Sequence, residues 1–235
     1  MAGFKVHIGT STVLGVAYGA AAYGLKYEPL PSCIVAAGLC SVSGMMPDLD
    51  SGPGRPLRES LAFAAAVVPM LMVDRFERMG MSLEMMTAVS GIIYISIRFG
   101  LAWLLRHYTV HRGMFHSIPA CAIAAELAFL VCGESEPLQI RYFKAGGVVL
   151  GFMSHLVLDE IYSVEFKYGM PHLKKSFGTA IKFWGDDMWA NFSCYAKLAL
   201  LTYVVTQDPT WMNKINPQLD RVEQTAVKRL ETLDR

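Results

Sequence analysis

The sequence predicts an all-α, polytopic transmembrane bundle of about six to seven helices with one polar face. Three observations carry that expectation. Only 17% of the 235 residues are charged, against about 25% in a soluble domain. Hydrophobic residues make up 53%, and mean hydropathy is +0.35. Apolar segments recur over residues 8–25, 31–47, 60–73, 83–105, 117–132, 145–161 and 189–206, lengths that suit helices better than strands.

A helix rises about 1.5 Å per residue, so about 20 residues cross a hydrocarbon layer of roughly 30 Å. The first segment follows Lys5, and Ala20-Ala21-Ala22 near its end imitate a cleavage site. Cleavage would discard His7, so the segment is read as retained. Gly15, Gly19 and Ala20 suit close helix contact. The second segment stops at Pro47, and the stiff turn Ser51-Gly52-Pro53-Gly54-Arg55-Pro56 follows. The third segment is short enough to be tilted or partly buried, and the fourth is the clearest span. Ser117 can cap the fifth, with Pro119 in its first turn. The sixth ends at His155 and Asp159. Residues 162–188 form the longest connection, a length usually tied to function or disorder. The seventh segment is short. Beyond it, Leu219, Val222, Ala226, Leu230 and Leu233 keep helical spacing among charges, which predicts an amphipathic tail helix. The chain thus divides into a membrane-embedded domain, 1–207, and a polar tail, 208–235.

The five cysteines form no CxxC pair and read as small buried hydrophobes. A formal net charge of +1 gives no strong basic field, so no nucleic-acid partner is evident.

Alternating spans bring the polar motifs to one end, called A. Segment one leaves A near His7 and segment two returns at Asp48 and Asp50. Segment four returns near His111, Arg112 and His116, and segment six returns at His155 and Asp159. Loops at A hold Lys5, Arg55, Arg58, Arg106, Arg112, Lys167, Lys174, Lys175 and Lys182; loops at the other end, B, hold Lys26, Arg75, Arg78, Arg141 and Lys144. The positive-inside rule then points A toward the cytoplasm, a bias that narrows if segment seven carries the basic tail to B.

Each motif has a chemical reading beside a bland one. His155 and Asp159 lie one helical turn apart, a spacing that presents two ligands to one metal or lets the pair hydrogen-bond to each other. Imidazole with carboxylate suits zinc, iron or manganese. Asp48 and Asp50 at a helix C-terminus oppose its dipole, so a metal or Arg112 would compensate them; a solvated turn is the alternative. His111 and His116, five apart, do not share a helical face, and Gly113 suggests a turn between them. The planar fork of Arg112 fits phosphate or carboxylate. A lone histidine such as His7 is more often a surface residue, and His107 and His172 are assigned no role. Arg98 and Glu126 inside apolar segments are a plausible structural pair, and Lys197 can snorkel.

Taken in order, His7, Pro47-Asp48-Leu49-Asp50, His111-Arg112-Gly113-Met114-Phe115-His116-Ser117 and His155-Leu156-Val157-Leu158-Asp159 resemble the YdjM-like, LexA-binding, inner-membrane-associated family of metal-dependent hydrolases. The resemblance covers about residues 1–160. Where that family continues with a Thr-Pro-x-Gly-like stretch, this chain has Glu160-Ile161-Tyr162-Ser163-Val164. The ligand order also looks like that of zinc-dependent phospholipase C and related nucleases, an analogy of pattern.

The resemblance implies a multi-pass bacterial inner-membrane protein with a metal site at one membrane face. Its ligands would be His7, Asp48, Asp50, His111, His116, His155 and Asp159, holding one or two divalent ions, zinc foremost and manganese or iron as alternatives. The expected chemistry is hydrolysis of a small-molecule or lipid phosphoester among membrane lipids, with Asp50 as base and Arg112 on the substrate anion. The alternative is a non-enzymatic metal transporter or regulatory scaffold using the same cluster. A transporter should hold its ligands near mid-membrane, whereas these lie at helix ends.

Overall fold

Small residues decide how the first helices meet. In α1 (Phe4–Gly24) the buried stripe is His7, Ser11, Gly15, Gly19 and Ala22; in α2 (Leu30–Ser43) it is Ser32, Cys33, Ala36, Cys40 and Ser43. A Cβ on Gly15 would come within 2.5 Å of the Ala37 carbonyl oxygen, and one on Gly19 within 2.8 Å of that of Cys33. The backbones are therefore in direct contact, as Gly15 and Gly19 predict, while Ala20 faces outward. The computed structural model describes residues 2–50, 54–108, 114–133, 136–167, 170–173, 178 and 180–215.

A 3-10 turn, Pro47–Asp50, closes α2. Then come α3 (Arg55–Leu71), α4 (Val73–Arg78), α5 (Leu83–Ile95) and α6 (Ala102–Tyr108); a π turn, Ser96–Leu101, joins the last two into one helix. α7 (Ile118–Val131), α8 (Leu138–Ile161), α9 (Met188–Thr206) and α10 (Pro209–Ile215) follow. α1, α2, α7 and α8 form the core, α9 packs on α7, and Leu49 in the 3-10 turn joins Leu57, Leu61 and Ala102 to hold the α3–α6 unit. Cys121 and Ala124 of α7 pack on Val148, Phe152 and Leu156 of α8.

Each apolar segment contains a helix, but the helices do not all have spanning length. Leu83–Leu105 is the one helix among the described residues both long and apolar enough to cross a bilayer. α2 and α7 are apolar, yet their 14 residues extend only about 21 Å. The connection after α8 is not purely loop. It holds an antiparallel hairpin, β1 (Val164–Lys167) with β2 (Met170–Leu173), paired Val164 to Leu173 and Lys167 to Met170.

α8 starts seven residues before the apolar segment it contains. Arg141 and Lys144, expected as loop charges, lie buried in its first two turns. Arg141 donates to both carboxylate oxygens of Asp208 at 3.0 and 2.5 Å, to Thr210 Oγ1 at 2.8 Å and to the Phe129 carbonyl at 3.3 Å. Lys144 is paired with Glu136 at 2.5 Å. The end of α9 therefore sits at end B beside the start of α8, and segment seven runs the length of the bundle. Glu126 accepts from Thr202 of α9 at 2.6 Å and not from Arg98, whose guanidinium lies 5.7 Å from the Phe99 ring centre. Lys197 donates to Ser193 Oγ at 2.9 Å. The predicted tail helix beyond α10 lies outside the described residues.

Candidate metal centre

Four chain passages deliver candidate ligands to end A. His7 comes from the second turn of α1, Asp48 from the 3-10 turn, His116 from just before α7, and His155 and Asp159 from the last turns of α8. Ser117 caps α7 by accepting from Ala120 N at 3.3 Å and donates to the Met114 carbonyl at 2.5 Å, which fixes the residues flanking His116. Pro119 occupies the first turn of the helix. α8 can bring His155 this close to α2 because Gly147 and Gly151 lie against the Ala36 and Cys40 carbonyls.

The five side chains converge. His7 Nε2 lies 3.2 Å from Asp159 Oδ1, and His116 Nε2 lies 3.4 Å from Asp48 Oδ1. His155 Nε2 stands between the carboxylates, 3.7 Å from Asp48 Oδ1 and 3.8 Å from Asp159 Oδ2. The His7 and His155 rings stack at 3.7 Å, and His116 meets His155 edge-on at 5.5 Å. Two sets of donors, His7/Asp48/His155 and His116/His155/Asp159, each lie within 4.8 Å of one another. Donor atoms 2.0–2.1 Å from one ion at tetrahedral corners would be about 3.3–3.4 Å apart. The observed separations bracket that value.

One histidine fixes its own tautomer. His155 Nδ1 is 2.7 Å from the Gly44 carbonyl oxygen, which can only accept, so Nδ1 carries the proton. Its Nε2 then keeps a lone pair, is fully buried and has no hydrogen-bond partner. An imidazole whose far nitrogen is committed to a backbone carbonyl is the usual arrangement of a metal-ligating histidine. Since only Nε2 is free, His155 can serve one ion.

The surroundings are closed except at Asp48. The side chains of His7, His116, His155 and Asp159 are almost wholly covered, whereas that of Asp48 is 18% exposed and marks the open side. Burial pushes the Asp48 carboxyl upward, but the His116 hydrogen bond together with His155 and His7 holds it below its ordinary value. The Ala2 backbone N–H, just ahead of α1, donates to Asp159 Oδ1 at 3.1 Å, a second link of the N-terminal residues to the cluster that the sequence does not signal. Asp50 ends the 3-10 turn, but its side chain, with His111 and Arg112, lies outside the described residues.

The sequence pattern of the YdjM inner membrane protein family matches residues 6–216, nearly the whole chain. The chain belongs to the YdjM inner membrane protein family. No curated protein and no solved structure matches it. The match extends past the four motifs through the hairpin and α9, so the 162–188 connection of this YdjM family chain falls within the family pattern. Membership, with the spanning length of Leu83–Leu105, makes the exposed apolar residues of that helix, such as Ile92 and Phe99, intelligible as lipid-facing surface.

Proposed function

We propose that the chain is a multi-pass membrane protein whose end-A cluster binds a divalent metal and hydrolyses a phosphoester at the level of the lipid headgroups. The observation that carries this reading is His155 Nε2, a lone pair buried between two carboxylates with nothing to bond to. An unsatisfied buried nitrogen is costly, and a cation among two acids and three imidazoles removes that cost.

Five ligands suit zinc, with manganese or iron as alternatives, in one or two ions. When bound, the ion supplies Lewis acidity that activates water and polarises a phosphoryl oxygen. His7, His155 and Asp159 form the closed wall of the site. His116 orients Asp48 at the open side, where substrate and water enter. Asp50 takes the water proton, and Arg112 holds the substrate anion through its planar fork. The position at helix ends favours a surface enzyme over a transport path.

The test uses purified, metal-loaded full-length chain against a panel of phosphoesters that includes phospholipid in mixed micelles, with metal measured on the same preparations. Arg112→Lys should retain metal and lose turnover at least about tenfold, because an ammonium lacks the bidentate fork. Loss of metal in that variant would assign Arg112 to the structural shell of the site, and full activity would remove it from substrate binding. A fully loaded wild type that hydrolyses nothing on the panel would favour a non-enzymatic transporter or scaffold.

A further inference from the structure

Residues 180–187, which lead into α9, form a strap fastened on its inner side and apolar on its outer side. Glu160, next to the ligand Asp159, accepts from the backbone N–H groups of Gly178 and Ala180 at 2.8 Å each and of Ile181 at 3.3 Å. The Lys182 carbonyl accepts from Ile118 N at 3.0 Å, two residues from His116. The Phe183 carbonyl accepts from Tyr195 Oη at 2.8 Å. Gly185 and the Asn191 side chain exchange two hydrogen bonds, at 2.8 and 2.7 Å. These backbone groups are thus spent against α7, α8 and α9.

Its side chains go the other way. Phe183, Trp184, Met188, Trp189 and Phe192 are each more than half exposed, with Trp189 at 74%. Trp189 stacks on Phe192 at 5.6 Å, and Trp184 leans on Tyr195 at 5.4 Å. Exposed apolar surface continues along α9 through Leu200 and Tyr203. A soluble surface rarely leaves two tryptophans and two phenylalanines open together, whereas aromatic rings concentrate where a membrane helix meets the headgroups. Lys182 is outnumbered by Asp186 and Asp187 in the same stretch, so the patch has no positive charge that would select an acidic protein or anionic lipid. Asp187 caps α9 by accepting from Trp189 N and Ala190 N, which fixes the strap's junction with the helix.

We propose that the strap and the start of α9, residues 180–192, seat in the headgroup–acyl boundary of the leaflet at end A, and that Glu160 is the positioning residue that clasps the strap beside the His/Asp cluster. The partner is a zwitterionic lipid surface. Substrate then reaches the cluster from the lipid boundary, which favours an amphiphile whose polar group is at headgroup depth. This rests on the reading that the site works at a membrane face. Its test follows tryptophan depth and not turnover, so the two can fail separately.

Full-length chain carrying Trp103→Phe and Trp211→Phe leaves Trp184 and Trp189 as the only indoles. Reconstituted into phosphatidylcholine vesicles, both should be quenched by lipid bearing a nitroxide near the headgroup. Quenching by a nitroxide deep in the acyl chain, or by aqueous acrylamide, should be at least about threefold weaker. Further removal of Trp189 or Trp184 separates the two signals. Glu160→Gln should shift Trp184 toward acrylamide while Trp189, held on α9, keeps its depth and reports an intact fold. Tyr195→Phe, a milder loosening, should move Trp184 the same way by less. Efficient acrylamide quenching of both tryptophans in the parent chain would overturn the membrane seat and leave the patch to a protein partner. An unchanged Trp184 in Glu160→Gln with normal helical content would overturn the clasp.

Discussion

A Gly151→Ala variant is expected to lose the native packing of α8 on α2 and, with it, the His/Asp cluster. A Cβ at this position would fall on the Cys40 carbonyl oxygen and on Ser43 Oγ, and within 2.8 Å of the Cys40 carbonyl carbon. Two of those atoms are backbone, so relief requires moving a helix. Overpacking typically costs about 1–3 kcal/mol, and a backbone obstacle puts this case at or above the top of that range. For a chain of this length that corresponds to a fall of roughly 6–12 °C in thermal midpoint. His155 lies one turn further along α8, and Gly44, which accepts its Nδ1 proton, lies one turn beyond Cys40. The shift should therefore separate Nε2 from both carboxylates and weaken metal binding too. Gly9→Ala is the control. It lies in α1 with nothing within 4 Å of a new Cβ, and it should be neutral or stabilising by up to about 1 kcal/mol. Thermal midpoints of the three proteins in one detergent check the contrast.

The second large effect belongs to end B. Asp208→Ala should destabilise the protein by about 3–5 kcal/mol, because it leaves the fully buried Arg141 guanidinium without its carboxylate. The Phe129 ring 4.0 Å from Arg141 and the Phe129 carbonyl cannot replace a countercharge. Burial raises the Asp208 carboxyl, but hydrogen bonds from Arg141 and Thr210 and the Arg141 charge bring it below its ordinary value of 3.8. A carboxylate depressed in the folded state contributes stability that is fully present above its unfolded value and is lost as pH falls through the folded one. The pair should therefore hold at neutral pH and fail only below about pH 4. A midpoint difference between wild type and Asp208→Ala that is flat from pH 5 to 7 and shrinks in acid is the expected result; a difference independent of acid would assign the loss to packing.

The sequence revealed the local and the countable features. Ser117 and Pro119 mark the start of α7 because caps and first-turn prolines act within one turn. The meeting of His7, Asp48, His116, His155 and Asp159 followed from counting apolar segments and asking at which end each motif falls. What it hid depends on distant partners. Arg141 and Lys144 depress local hydropathy and so looked like loop, while the residue that lets Arg141 enter the helix, Asp208, is 67 positions away. Arg98 suits Glu126 because both charges lie inside apolar segments, yet the partner of Glu126 is Thr202, 76 positions away. Glu160 gave no signal beyond adjacency to Asp159, because what it binds is backbone. Gly151 read as one tolerated helix glycine among several, and only the Cys40 carbonyl beside it shows why a side chain is excluded.

The central claim is that buried imidazoles and carboxylates at end A hold a metal ion, and metal content measures it most directly. Full-length wild type and His155→Ala, purified in detergent without chelator and offered zinc, manganese and iron(II) in turn, should be compared at equal helical content. Wild type should carry about one to two equivalents of one of these ions per chain, and the variant at least about a tenfold weaker load. Wild type that takes up none of the three, or a variant that binds as much as wild type, would contradict it.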